Sequence, residues 1–183
     1  MKIYSIKIAL RGISPMVWRR LRIPGNTTIA DFHHIIQTAY SWDNEYLHQF
    51  HIYGKDYGIS YCGGISFADD AHSIYIDDFE FDVGDKFTYE YNFFEHNLVD
   101  IRIENIKEIT SLVTQKNDAY CISGAGIPGV DKYAKMDVEL KILRFLTKPR
   151  QLIKVEHIRV LVEELNAVSF NRKKINLHLA KRP

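Results

Sequence analysis

Val17-Trp18-Arg19-Arg20-Leu21-Arg22-Ile23-Pro24-Gly25 is the stretch that decides the fold. Successive side chains of a strand point to opposite faces, so Val17, Arg19, Leu21 and Ile23 share one face while Trp18, Arg20 and Arg22 share the other. The first face is core-bound, with Arg19 as the exception. Upstream, Ile3 to Leu10 is a second β-rich alternating run, and Gly12 and Pro15 punctuate the segment between the two. Two alternating runs joined by a short turn predict a hairpin.

Downstream, Pro24-Gly25-Asn26 closes the strand, and Thr27 or Thr28 is placed to cap a helix. Ile29, Phe32, Ile35, Ile36 and Ala39 follow helical spacing. After Trp42-Asp43, Leu47 to Tyr53 alternates again, with Phe50 and Ile52 set against Gln49 and His51. The order strand, strand, helix, strand permits a β-grasp-like unit in which one helix lies across a mixed or antiparallel sheet. Tyr57 to Phe67 reads as a loop or a short strand pair, and the acidic run Asp77 to Asp85 ends in a turn signal. Lys86 to Phe93 and Leu98 to Ile106 alternate cleanly and predict a second hairpin.

Gly124-Ala125-Gly126-Ile127-Pro128-Gly129 reads as a loop and Lys148-Pro149-Arg150 as a break. Beyond Gly129 the pattern turns helical. Val155, Ile158, Leu161, Val162 and Leu165 form an amphipathic stripe, and Ser169 is placed to cap a last helix through Ile175, Leu177 and Leu179. The fold class is α+β. One domain is expected over 1–183, with a sheet-rich core over 1–130 and a helical part over 131–183.

A chain of 183 residues that is 46% hydrophobic needs no disulfide or structural metal to hold a core, since a body of that size buries about 70% of its unfolded surface. Met1 runs straight into the first strand without an apolar leader core, so a cytoplasmic protein with Cys62 and Cys121 as free thiols is expected. No run is long and apolar enough for a membrane helix, and no membrane partner is expected. The net charge of +1 conceals a bipolar chain: Ser66 to Thr110 carries a net −9 and Lys132 to Pro183 a net +8. Such asymmetry fits a basic face for nucleic acid, or two ends of one domain that attract each other.

Pro15-Met16-Val17-Trp18-Arg19-Arg20, Ile23-Pro24-Gly25, Leu47-His48-Gln49-Phe50, Gly84-Asp85-Lys86-Phe87 and Tyr89-Glu90-Tyr91 together resemble the plasmid pRiA4b ORF-3-like family. The resemblance runs through most of the chain to Ile175-Asn176-Leu177-His178-Leu179, and it implies a link to mobile DNA elements, since members carry a resolvase-like label. Two loops depart from the pattern. Phe94-Glu95-His96-Asn97-Leu98-Val99 stands where the resemblance implies Gly-Asp-Asp-Trp-Glu-His, and the Pro-Pro-Glu-Asp run after Gly124-Ala125-Gly126 is missing.

The candidate ligand- or partner-binding residues are Trp18, Arg19, Arg20, Trp42 and His48, which carry the signature, and the candidate nucleic-acid-binding residues are Arg172, Lys173 and Lys174. No catalytic residue, metal site or cofactor is assigned. Ser14 near Arg11, Arg19 and Arg20 has the composition of a serine recombinase site, but Ser14-Pro15 is also ordinary turn chemistry. Eight histidines include no His-Glu-x-x-His pattern; His33 and His34 point apart on a helix, and His48 and His51 lie on opposite strand faces. A non-enzymatic binding module for a protein, a second copy or a nucleic acid is the expected role. The alternative is an enzyme acting on nucleic acid, resolvase-like or by metal-dependent phosphoryl transfer.

Overall fold

The first hairpin forms as the alternation predicts: β1 (Lys2–Leu10) pairs antiparallel with β2 (Trp18–Pro24) in a computed structural model that describes residues 1–109, 118–129, 132–147 and 155–181. Next come α1 (Ile29–Tyr40), β3 (His48–Ile52) and the short β4 (Lys55–Tyr57). The second hairpin is β5 (Lys86–Tyr91) and β6 (Asn97–Glu108). A seventh strand, β7 (Tyr120–Ala125), precedes α2 (Lys132–Leu146), α3 (Val155–Ala167) and α4 (Arg172–Leu179).

The strands make one sheet in the order β4-β3-β5-β6-β1-β2-β7, antiparallel throughout. The fold is α+β. β5 and β6 stand between β1 and β3, so the N-terminal strands do not make a contiguous sheet on their own. The break expected at Lys148-Pro149-Arg150 lies outside the described residues.

Alternation decides which face is buried. Tyr4, Ile6 and Ile8 of β1, Leu21 and Ile23 of β2, Phe50 and Ile52 of β3, Tyr89 of β5 and Ile101 and Ile103 of β6 enter one core with Ile29, Phe32, Ile35 and Ile36 of α1. Phe32 stacks on Phe50 at 5.5 Å between centroids, which ties the helix to the sheet. Thr28 is the cap: its hydroxyl accepts from the Asp31 N–H at 3.0 Å. The helix ends at Ser41, whose left-handed φ of 57° lets the Trp42 N–H return to the Gln37 carbonyl.

Two sequence readings need correction. Gly124-Ala125 is strand, not loop, because β7 pairs along β2 from Arg22 to Trp18. A β-carbon at Gly124 would lie 2.7 Å from the Trp18 carbonyl oxygen and 2.8 Å from Arg19 Cδ, so glycine there serves close approach rather than turning. The cap of α4 is Asn171, whose side chain accepts from the Lys174 N–H at 3.1 Å, and not Ser169. α4 then docks on the edge strand: Asn176 accepts from the Cys121 N–H at 2.6 Å and donates to its carbonyl at 3.0 Å, which occupies an otherwise open edge. Of the amphipathic stripe on α3, Leu161 and Leu165 are half-buried while Ile158 and Val162 are exposed.

Candidate nucleic-acid interface

The pleat divides the signature residues between two environments. Arg19 and His48 point into the core side of the sheet, Trp18 and Arg20 point to its open side, and Trp42 lies in the turn after α1.

Arg19 is 2% exposed. Its Nε donates to the Ala39 carbonyl at 3.0 Å, and its Nη1 donates to the Trp18 and Ala125 carbonyls at 2.8 and 2.9 Å. The guanidinium lies over the rings of Tyr40 and Phe170. Burial lowers its pKa from the ordinary arginine value. This side chain joins α1, β2, β7 and the segment before α4. His48 stacks on His33 with centroids 3.5 Å apart, and its Nε2 accepts from the Ile59 N–H. Its Nδ1 is buried without a partner. Burial, followed by the nearby His33 and His34, pushes its pKa down to about 2, so the ring is neutral. Trp42 stacks on Tyr91 and packs against Tyr40. His96 pairs with Glu90 at 2.8 Å.

The open face is built from outward positions of four adjacent strands. Register aligns Lys86 of β5 with Arg102 of β6, Arg102 with Lys7 of β1, and Lys7 with Arg20 of β2. Four cations therefore cross the sheet in one row. Strands lie about 4.8 Å apart, so the row spans roughly 14 Å. Arg20 is held bidentate by Glu104. Arg20's hydrogen bonds hold the Glu104 carboxyl below its usual range against the effect of burial, with Lys7 and Arg102 adding attraction. No ion pair with a described carboxylate engages Lys7, Lys86 or Arg102. Lys7, Arg102 and Lys86 line a trough of about 510 Å³, together with Met16 and the Arg11–Asp100 ion pair. Trp18 stands at the next register, with Lys7 and Arg20 each within 5.5 Å of its ring.

Sequence reasoning found Trp18 and Arg20 but passed over Lys7, Lys86 and Arg102. The missing signal was register, which a local pattern does not carry. The three C-terminal candidates separate: Arg172 donates to the Ile122 carbonyl at 3.1 Å, Lys173 is exposed, and Lys174 faces a cleft beside α1. Around Ser14 the guanidiniums are each engaged elsewhere, Arg11 with Asp100, Arg19 in the core and Arg20 with Glu104. Among the described residues no group of three or more His, Cys, Asp or Glu side chains is arranged to hold a metal ion.

A family model described as plasmid pRiA4b ORF-3-like protein matches residues 2–175. The chain belongs to the plasmid pRiA4b ORF-3-like family. A solved structure of similar fold, "Protein of Unknown Function MM3350 from Methanosarcina mazei Go1", is 23% identical, with a TM-score of 0.61 over 94% of this chain and 96% of that one. No curated protein matches the chain. Within this member of the pRiA4b ORF-3-like family, the departing tip between β5 and β6 is a tight turn in which Phe94 is 93% exposed. Among the described residues no helix is long and apolar enough to cross a membrane.

Proposed function

We propose that this protein binds a single strand of nucleic acid across the open face of its sheet. The observation that carries the reading is the in-register row Lys86, Arg102, Lys7 and Arg20. Like charges placed directly opposite on neighbouring strands are destabilising, and among the described residues Glu104 forms an ion pair with Arg20 alone, so the run Lys86, Arg102 and Lys7 is not what folding alone favours. A polyanion relieves the repulsion. A flat, cationic sheet suits a strand whose phosphates follow the row, and Trp18 beside it offers a ring for a base. The link to mobile DNA that the family resemblance implied is in keeping with such a ligand.

Fluorescence anisotropy with labelled single-stranded DNA and RNA tests this. Binding at low salt is expected to weaken steeply toward physiological salt, and Lys7→Glu with Arg102→Glu is expected to remove it. Binding that survives both changes contradicts the reading. A protein partner is a second reading, supported by Leu140, Leu143 and Leu146 of α2 and Ile158, Val160 and Val162 of α3, all of them exposed.

A further inference from the structure

A second concavity lies on the helical side of the sheet. α1 and α4 enclose a cleft of about 640 Å³, a size typical of small-molecule sites. α1 contributes Asp31, His34 and Thr38 at helical spacing, and α4 contributes Lys174 and His178 one turn apart.

Asn44 in the cleft wall is fixed from the interior on two atoms. Its N–H donates to Gln37 Oε1 at 3.1 Å, and its Oδ1 accepts from His33 Nε2. The direction of that bond follows from the chain behind it. Gln37 Nε2 donates to the Tyr89 hydroxyl at 2.8 Å, the hydroxyl donates to His33 Nδ1 at 2.8 Å, and the proton of His33 is left on Nε2. With Oδ1 occupied, the Nδ2 donors of Asn44 remain for the cleft. Trp42 forms a neighbouring wall, held in place by Tyr91 and Tyr40. A donor and an aromatic wall locked by buried partners are the preorganised parts of a binding site.

The chemistry of the cleft is weighted toward donors. The Lys174 ammonium, the Asn44 amide, the Ser41 hydroxyl and the His178 imidazole face one carboxylate, Asp31, which already accepts from the Thr28 hydroxyl at 2.9 Å, while the Thr38 hydroxyl donates to the His34 carbonyl at 2.9 Å. We propose that the cleft binds a small phosphate monoester of mononucleotide size, with its phosphate on Lys174 and His178 and its organic part against Trp42. Three acceptor oxygens and a charge near −2 match that donor set. The site is independent of the cationic row on the opposite face.

Isothermal titration of the full chain with adenosine 5′-monophosphate, and with adenosine as the phosphate-free probe, tests the proposal. Saturable binding of the monophosphate is expected, weakened about tenfold or more by Lys174→Glu and by His178→Ala, with adenosine bound at least about tenfold more weakly. Lys173→Glu changes the same charge on an exposed position outside the cleft and is expected to leave affinity within about twofold. Lys7→Glu with Arg102→Glu is expected to leave it unchanged too. The proposal is overturned by equal binding of adenosine, by equal losses in Lys173→Glu and Lys174→Glu, or by the absence of saturable binding in a chain with an intact urea transition.

Discussion

Arg19 is a cation in the core with no carboxylate partner among the described residues, kept there by three carbonyls and two aromatic rings. Removing the fork leaves buried acceptors unpaired and opens space between α1 and β7. Arg19→Ala is therefore expected to lower unfolding free energy by about 3 kcal/mol or more, read from urea transitions, and a loss under about 1 kcal/mol would show that the carbonyls are satisfied otherwise. Arg19→Lys should be nearly as harmful, because one ammonium does not reach the same acceptors in the same geometry. His48 sets a pH dependence. Its folded pKa of about 2 lies below the unfolded value of about 6.5, so the unfolded chain binds the extra proton between them. The His48 contribution is complete above pH 6.5 and falls away below it, at up to about 1.4 kcal/mol per pH unit. Urea titrations between pH 7 and pH 5 should show a shallower slope for His48→Gln than for the parent chain; parallel slopes would mean that the ring is not buried neutral. The sequence marked both residues as signature positions. What it did not show is that Arg19 is a joint between elements, because Ala39 and Ala125 come from distant parts of the chain and offer only backbone oxygens.

At the level of elements, the cationic row sets stability against binding. Lys7 faces Arg102 on one side and Arg20 on the other, and replacing it by a β-favouring neutral residue removes repulsion on both. Lys7→Thr and Arg102→Thr are each expected to raise stability by about 0.2–1 kcal/mol while weakening nucleic-acid binding. If both variants lose stability, the row is a structural device and the binding argument fails. Strands β1, β2, β5 and β6, and helix α1, were legible because period-two and period-3.6 hydrophobic patterns are local. β7 was not. Gly124 and Gly126 read as turn residues, yet Gly124 pairs with Arg19 in the sheet and is glycine because Arg19 and Phe170 pass within 2.9 Å of where its β-carbon would be. α4 was expected to start at a serine, but Asn171 reaches the Lys174 N–H, a choice between two good capping residues that depends on where the chain enters the helix.

Across the whole molecule, the sheet order β4-β3-β5-β6-β1-β2-β7 gathers onto one face cations that the linear charge count conceals. Lys86 and Arg102 lie inside the most acidic third of the sequence, yet register places them beside Lys7 and Arg20. The strongly basic C-terminal segment contributes instead to docking on β7 and to the cleft beside α1. Charge along the chain is thus a poor guide to charge across a sheet whose neighbours are far apart in sequence. α1 covers one face, and the outward side chains of the other are half-buried or exposed among the described residues, so the fold itself nominates where an extended ligand lies. The most direct test is a ¹H–¹⁵N NMR titration of the full chain with a short single-stranded RNA at low salt. Shifts concentrated at Lys7, the Trp18 indole, Arg20, Lys86 and Arg102 are expected, reversed by added salt. Shifts confined to α2, α3 or α4, or none at all, would contradict nucleic-acid binding on this face.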